Sequence, residues 1–163
     1  MPSSTTLIAL SDLDDPRLAQ ARTLLLEYAE SLNVDLAFQN FDRELAEFPA
    51  NYLPPAGSLL LASRDEGLAG SVAMRRLDKE ICEMKRLYVR PAYRGCGVGR
   101  ALADAIIDAA KRAGYRRMRL DTLPGMGDAQ RLYGILGFRE IAAYYENPIA
   151  GTKYMELDLR LST

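Results

Sequence analysis

Two hydrophobic periods divide the chain. Between residues 58 and 89 the apolar positions fall in short runs bounded by turn residues. They predict three consecutive strands at 58–63, 68–77 and 81–89, joined by tight turns at Asp65-Glu66-Gly67 and around 78–80. After residue 97 the period changes to that of a helix. Val98, Ala101, Leu102, Ala105, Ile106, Ala109 and Ala113 form one apolar stripe, and Gly114 is placed to stop it. Upstream, 5–11 reads as a short strand. Asp15-Pro16 then opens a helix bearing Leu18, Ala21, Leu25, Tyr28 and Leu32 on one face, with Asn33 as its expected end. A second short helix fits 42–48, before Pro49 and the Pro54-Pro55 breaker. Downstream, a strand at 115–121, a helix at 128–136 closed by Gly137, and strands at 138–145 and 153–161 complete the order. One parallel crossover, from strand 81–89 through the helix to strand 115–121, sits among antiparallel connections. The expected fold is therefore an α/β mixed sheet, mostly antiparallel, with helices on its faces.

At 163 residues, with no repeat or linker, the chain is expected to form a single domain over 1–163. No apolar run reaches the roughly 18 residues of a membrane span. The start lacks the basic-then-apolar pattern of a signal peptide, so a cytoplasmic location and no membrane partner are expected. A net charge of −1 gives no global attraction for nucleic acid. The basic cluster Lys111, Arg112, Arg116, Arg117 and Arg119 lacks the aromatic platform of a single-strand binder and reads as an exposed surface. The two cysteines, Cys82 and Cys96, form no C-x-x-C pair, and the chain contains no histidine. No metal site is expected, and Ser-His-Asp and Cys-His catalysis are excluded. A general base must be a carboxylate, tyrosine, lysine or held water.

The densest chemical signal lies between strand and helix, E-M-K-R-L-Y-V-R-P-A-Y-R-G-C-G-V-G-R, residues 83–100. Pro91 blocks extension of the strand, and Gly95, Gly97 and Gly99 alternate at the mouth of the helix. Such a mouth presents unpaired N–H groups and the positive end of the helix dipole, which together suit a phosphate. A plain turn is the bland alternative. A P-loop lacks support because no G-K-[S/T] follows. A dinucleotide loop has Asp121 at a fitting distance downstream. It fails G-x-G-x-x-G at Arg100, and residues 90–94 intervene where that turn is tight.

R-G-C-G-V-G-R, residues 94–100, resembles the pyrophosphate-binding motif Q/R-x-x-G-x-G/A of the GNAT N-acetyltransferases, with Arg94, Gly97 and Gly99 on its fixed positions. The preceding L-Y-V-R-P, the later Y-x-x-x-G-F pattern at Tyr133, Gly137 and Phe138, and the element order extend the resemblance over nearly the whole chain. It implies a GNAT-like fold whose parallel strand pair splays apart. It also implies acetyl-CoA as cofactor, and transfer of its acetyl group to a primary amine of a small molecule or an exposed protein by direct attack. The alternative is a non-catalytic acyl-CoA-binding domain of the same fold. A homodimer is left open, since family members are often dimers.

The resemblance places the diphosphate on the main chain of Arg94, Gly95, Cys96, Gly97, Val98, Gly99 and Arg100, and the pantetheine arm along Leu87, Tyr88 and Val89. An N–H at Val89 would polarise the thioester carbonyl. Tyr133 matches the family's acid. A tyrosine of pKa about 10 suits a leaving thiolate of about 8.5, although its spacing with Ala129, Leu132 and Leu136 also fits core packing. Glu83 is the candidate base through water; the family's second acid is replaced by Lys85, and Asp121 is the fallback. Cys96 is read as a small residue whose N–H matters. On the acceptor side, Glu27, Glu30, Asp35, Asp42, Glu44 and Glu47, interleaved with Tyr28, Phe38 and Phe41, form either an acidic mouth for a cationic amine or solvated helix faces. Tyr144 and Tyr145, read as lying in a strand, are expected to point to opposite faces.

Overall fold

The computed structural model describes residues 4–32 and 41–160. Within them, the order is β1 (Thr5–Ala9), α1 (Leu18–Leu32), α2 (Phe41–Glu47), β2 (Ser58–Arg64), β3 (Gly67–Arg76), β4 (Ile81–Val89), α3 (Val98–Arg112), β5 (Arg117–Thr122), α4 (Gly127–Leu136), β6 (Arg139–Ile141) and β7 (Lys153–Asp158). The seven strands form one sheet in the order β1-β2-β3-β4-β5-β7-β6. Every neighbouring pair is antiparallel except β4 and β5. The mixed sheet with one parallel pair follows the sequence pattern. No described helix is long and apolar enough to cross a membrane.

Side-chain alternation along β2 builds two cores. Leu60 and Ala62 face α3, where Val98, Leu102, Ile106 and Ala110 pack against Met74, Met84, Met118 and Leu120. Leu59 and Leu61 face α1, where Ala21 and Leu24 pack with Leu10, Tyr52 and Ala73. Helices therefore cover both faces. The α3 side is apolar over its whole breadth, whereas the α1 side turns ionic at β4 and β5, where Glu83, Lys85 and Arg86 are buried. That polarity locates the site.

Element ends differ from the periodic reading for local reasons. The helix expected from Pro16 begins at Leu18. Asp15 remains its lead-in: its carboxylate accepts the N–H of Arg17 at 2.9 Å and its carbonyl accepts Leu18 N–H at 3.1 Å. The strand expected from residue 115 starts at Arg117, because the buried Tyr115 turns its hydroxyl to the Ala56 carbonyl at 2.7 Å. The strand expected over 138–145 is only Arg139–Ile141. The expected helix end at Asn33 lies outside the described residues, as do Asp35 and Phe38.

Leu102 is fully buried between α3 and the sheet. Its replacement by alanine should lower unfolding free energy by about 2–5 kcal/mol, the usual cost of a leucine-sized core deletion. Urea denaturation measures it, and a loss below about 1 kcal/mol would show that α3 is not the keystone of this core.

Candidate active site

After β4, a short 3₁₀ turn at Pro91–Tyr93 leads into the glycine loop. Gly95 and Gly97 adopt φ values of +79° and +85°, and a Cβ placed on either would meet nothing within 4 Å. The requirement for glycine is thus conformational, and it leaves the loop surface open. Gly97 is the residue from which α3 springs. Among the described residues, the main-chain N–H groups of 95–100 have no acceptor. Six consecutive donors at a helix start form a concave positive surface.

This surface opens on a groove of about 450 Å³, bordered by Leu87, Val89 and Arg94 on one wall and by Met126, Ala129 and Leu132 on the other. Tyr88, Gly95, Gly97, Val98 and Gly99 also line it. Two of the expected residues do not. Cys96 is exposed, with its thiol turned to the Arg94 carbonyl at 3.8 Å, and the Arg100 side chain pairs with Asp104 at 3.2 Å across the helix surface. Arg94 folds back, its Nε donating to the Val89 carbonyl at 3.0 Å. The loop thus offers the groove its main-chain N–H groups, with Arg94 among the lining residues.

The inner end of the groove is shaped by an interruption in β4. Ala73 pairs with Lys85 and Ser71 with Tyr88, so Arg86 and Leu87 together oppose Val72, and Arg86 takes φ +59°. This is a β-bulge, and it reverses the alternation beyond it. Glu83, Lys85 and Arg86 are directed to the α1–α2 side, while Leu87 and Val89 stay with the α3 core. The β4–β5 ladder spans only Ile81↔Arg117, Cys82↔Met118 and Glu83↔Arg119. Beyond it the strands part around a small cavity of about 20 Å³ lined by Lys85, Leu87, Asp121, Thr122 and Tyr133. The cavity and the groove share Tyr28, Leu32, Leu87 and Met126, so one leads into the other.

The charges around this cavity are held by named partners. Glu83, 1% exposed, accepts Arg75 Nε at 2.8 Å and the Tyr144 hydroxyl, with Lys85 Nζ at 3.8 Å. Burial would raise its pKa, but the cations and hydrogen bonds prevail and hold the carboxyl below its usual range. Burial lowers the pKa of Lys85. Arg86 donates to Glu44 at 3.2 and 3.1 Å, between the rings of Tyr28 and Phe41, each 5.6 Å from its guanidinium. Glu27 is taken by Arg90 at 2.7 Å and Glu47 by Arg43 at 3.0 Å. The acids read as a mouth for a cation are thus substantially engaged by arginines.

Tyr144 and Tyr145 do not lie in a strand, because β6 ends at Ile141. Freed from strand alternation, both turn inward. Tyr144 donates to Glu83 and Tyr145 to Asp121, and both rings pack edge-on against Tyr154 at 5.3 and 5.4 Å. Asn147 adds contacts to Asp121 at 3.5 Å and to the Tyr145 hydroxyl at 3.2 Å. Tyr133 is 6% exposed, packed on Phe138 with ring centroids 5.7 Å apart, and burial pushes its hydroxyl pKa up. Its ring packs in the core, as its helix spacing also allowed, and it lines the cavity. Thr122 Oγ1, on the same wall, is the one buried side-chain polar atom among the described residues without a hydrogen-bond partner. Nothing in the sequence marked Arg75 or Thr122.

The acetyltransferase (GNAT) family model matches residues 21–138. An uncharacterized N-acetyltransferase of Schizosaccharomyces pombe is 41% identical over 163 residues, covering 97% of each chain. The N-acetylaspartate synthetase of Rattus norvegicus is 31% identical over 130 residues, covering 77% of this chain and 44% of that protein. Among solved structures, a GNAT-family acetyltransferase from Staphylococcus aureus superposes with a TM-score of 0.76 at 22% identity, covering 96% of this chain and 99% of that one. Another from Elizabethkingia anophelis, with acetyl-CoA bound, superposes at 0.66 and 21% identity, covering 94% and 97%. The glycine loop, the parted parallel strands and a family match over most of the chain agree: this chain belongs to the GNAT family of acetyltransferases.

Proposed function

We propose that this N-acetyltransferase moves an acetyl group from acetyl-CoA to the amine of a small molecule by direct attack, using the cavity between β4 and β5. The row of acceptor-less N–H groups at 95–100, opening on a groove that leads to the cavity lined by Tyr133, carries this reading. The loop fits the diphosphate: its positive-φ glycines bare the main chain where a side chain would intrude. Residues 87–89 border the groove where the strands part and present main-chain groups to an extended arm. Bound acetyl-CoA supplies an activated thioester.

The chain's own groups handle two protons. Tyr133 gives one to the departing sulfur; its raised pKa keeps it protonated until that moment. An amine of pKa about 10.4 must lose one before attack. Glu83, the base expected from the resemblance, is held ionised by Arg75, Lys85 and Tyr144 and is a weak proton acceptor. We assign it the positioning of Lys85 and Tyr144. The receiving role goes to Asp121, which lines the cavity with Tyr133. By its name the rat relative makes N-acetylaspartate, which supports a small-molecule amine ahead of a protein amine as acceptor here.

Three measurements test these roles. Tyr133→Phe should reduce kcat by about 100-fold with the KM for acetyl-CoA unchanged, read by thiol release; undiminished turnover removes the acid assignment and favours a silent acyl-CoA-binding domain. Gly97→Asp should weaken acetyl-CoA binding by at least about tenfold in calorimetry. Aspartate enters the left-handed region at less cost than most residues and sets a carboxylate against the phosphate, so an unchanged dissociation constant contradicts the loop assignment. Because the Glu83 carboxyl sits below its unfolded value of 4.5, the stability it contributes is full above that pH and lost as pH falls through the depressed folded value. Glu83→Gln should therefore be less stable at neutral pH and lose less on acidification; parallel urea midpoints from about pH 3 to pH 7 would refute this.

A further inference from the structure

Each turnover of the mechanism above leaves two groups in the wrong protonation state. Asp121 holds the proton taken from the amine, and Tyr133 lacks the one given to sulfur. The two belong to opposite faces of the sheet. Side chains alternate along β5, and Leu120 packs in the α3-side core, so Thr122 falls on that face and Asp121 on the α1 side. Tyr133 is part of the α3-side core. Strand pairing would seal the sheet between acid and base, but the β4–β5 ladder ends at Glu83 and Arg119. Asp121 and Tyr133 both line the small cavity in the gap beyond it.

That cavity has room for one water molecule. Its volume is about 20 Å³, and a single water needs roughly 10–15 Å³. A buried water also needs polar partners, and Lys85, Asp121, Thr122 and Tyr133 are all in the lining. Thr122 is the residue that points to it. Thr122 is 2% exposed, and its Oγ1 has no hydrogen-bond partner among the described residues. A hydroxyl buried in that state costs free energy that a valine of the same shape would not. The same hydroxyl can donate and accept at once, which suits it to orient a water.

We propose that Thr122 holds one water in the gap between β4 and β5, and that this water returns the proton from Asp121 to Tyr133 after acetyl transfer. The step balances. The Asp121 carboxylic acid gives its proton to the water oxygen as the water gives one of its own to the Tyr133 phenolate. Carboxylate, phenol and water are restored, and nothing is consumed. Burial raises the Tyr133 pKa and the Asp121 charge raises it further, so a phenolate formed there recovers a proton readily. Thr122 is thus a positioning residue, acting through the water. The return path rests on the acetyl-transfer reading of the same site; the water at Thr122 stands on the cavity alone.

Thr122→Val removes the hydroxyl and keeps the branched shape. Thiol release by the full chain, with acetyl-CoA and the best acceptor from a panel of amino acids and alkylamines, should show kcat at least about tenfold lower. The KM for acetyl-CoA should be unchanged, and the solvent deuterium isotope effect on kcat larger than in the wild type. Thr122→Ser, which keeps the hydroxyl, should restore kcat. Full turnover in Thr122→Val with a raised urea midpoint, the mark of a dry cavity, overturns the inference; so does full turnover at any midpoint, or an equal loss in both variants. A crystal structure of the wild-type chain decides without a variant. It should show density for one water within hydrogen-bond distance of Thr122 Oγ1, and a dry cavity overturns the inference while leaving acetyl transfer standing. Acetyl-CoA binding with no thiol release from any amine would overturn the acetyl-transfer reading and the return path together.

Discussion

The ladder between the two parallel strands stops after three residue pairs, and the site exists because of that stop. Beyond Glu83 and Arg119, β4 turns toward the glycine loop while β5 runs on beside β7. The bulge at Arg86 helps to separate them. It spends one residue of β4 without a partner on β3 and exchanges which side chains face the α1 side. Without it, Leu87 would not share a face with Met84, and the groove wall would not be apolar where an extended cofactor arm would lie. The early end of the ladder opens the gap, and the bulge gives the groove its apolar wall.

The bulge also commits the protein to burying charge. Ion pairs out of water are rarely a source of stability, and here they sit where an apolar layer would pack at less cost. The structure contains the expense by sharing partners. Glu83 serves Arg75, Lys85 and Tyr144, while Glu44 serves Arg86 and accepts the Tyr52 hydroxyl at 2.9 Å. The return is geometric. Fixed charges and tyrosines define the walls of a small cavity, while the opposite face, packed by Leu102, Ile106, Met118 and Leu120, supplies the rigidity. Tyr133 joins the two regions, its ring in the core and its side chain at the cavity.

What the sequence showed follows from how local each signal is. The strands at 58–89, the helix after residue 97 and the glycine loop are written in periodicity and in residues that only special backbone angles require, so they were legible. The ionic partnerships were not, because Glu44 meets Arg86 and Glu27 meets Arg90 across long stretches of chain that no local pattern connects. For the same reason the acidic run at 27–47 resembled a cation-attracting mouth until its arginines were placed. The bulge falls on arginine rather than glycine and leaves no signature. Tyr144 and Tyr145 were misplaced for a related reason: apolar residues after Ile141 look like a continuing strand, but β7 enters between β5 and β6 and leaves that segment to fold over the site.

The central claim is that main-chain donors at the start of α3, rather than arginine side chains, hold the diphosphate end of acetyl-CoA against the gap between β4 and β5. Amide chemical shifts followed during titration with coenzyme A test it most directly. The account predicts that at saturation the largest changes fall on the amides of residues 95–100, with a second group at 87–89. Saturation that leaves residues 95–100 unmoved, with the changes concentrated elsewhere, would contradict it.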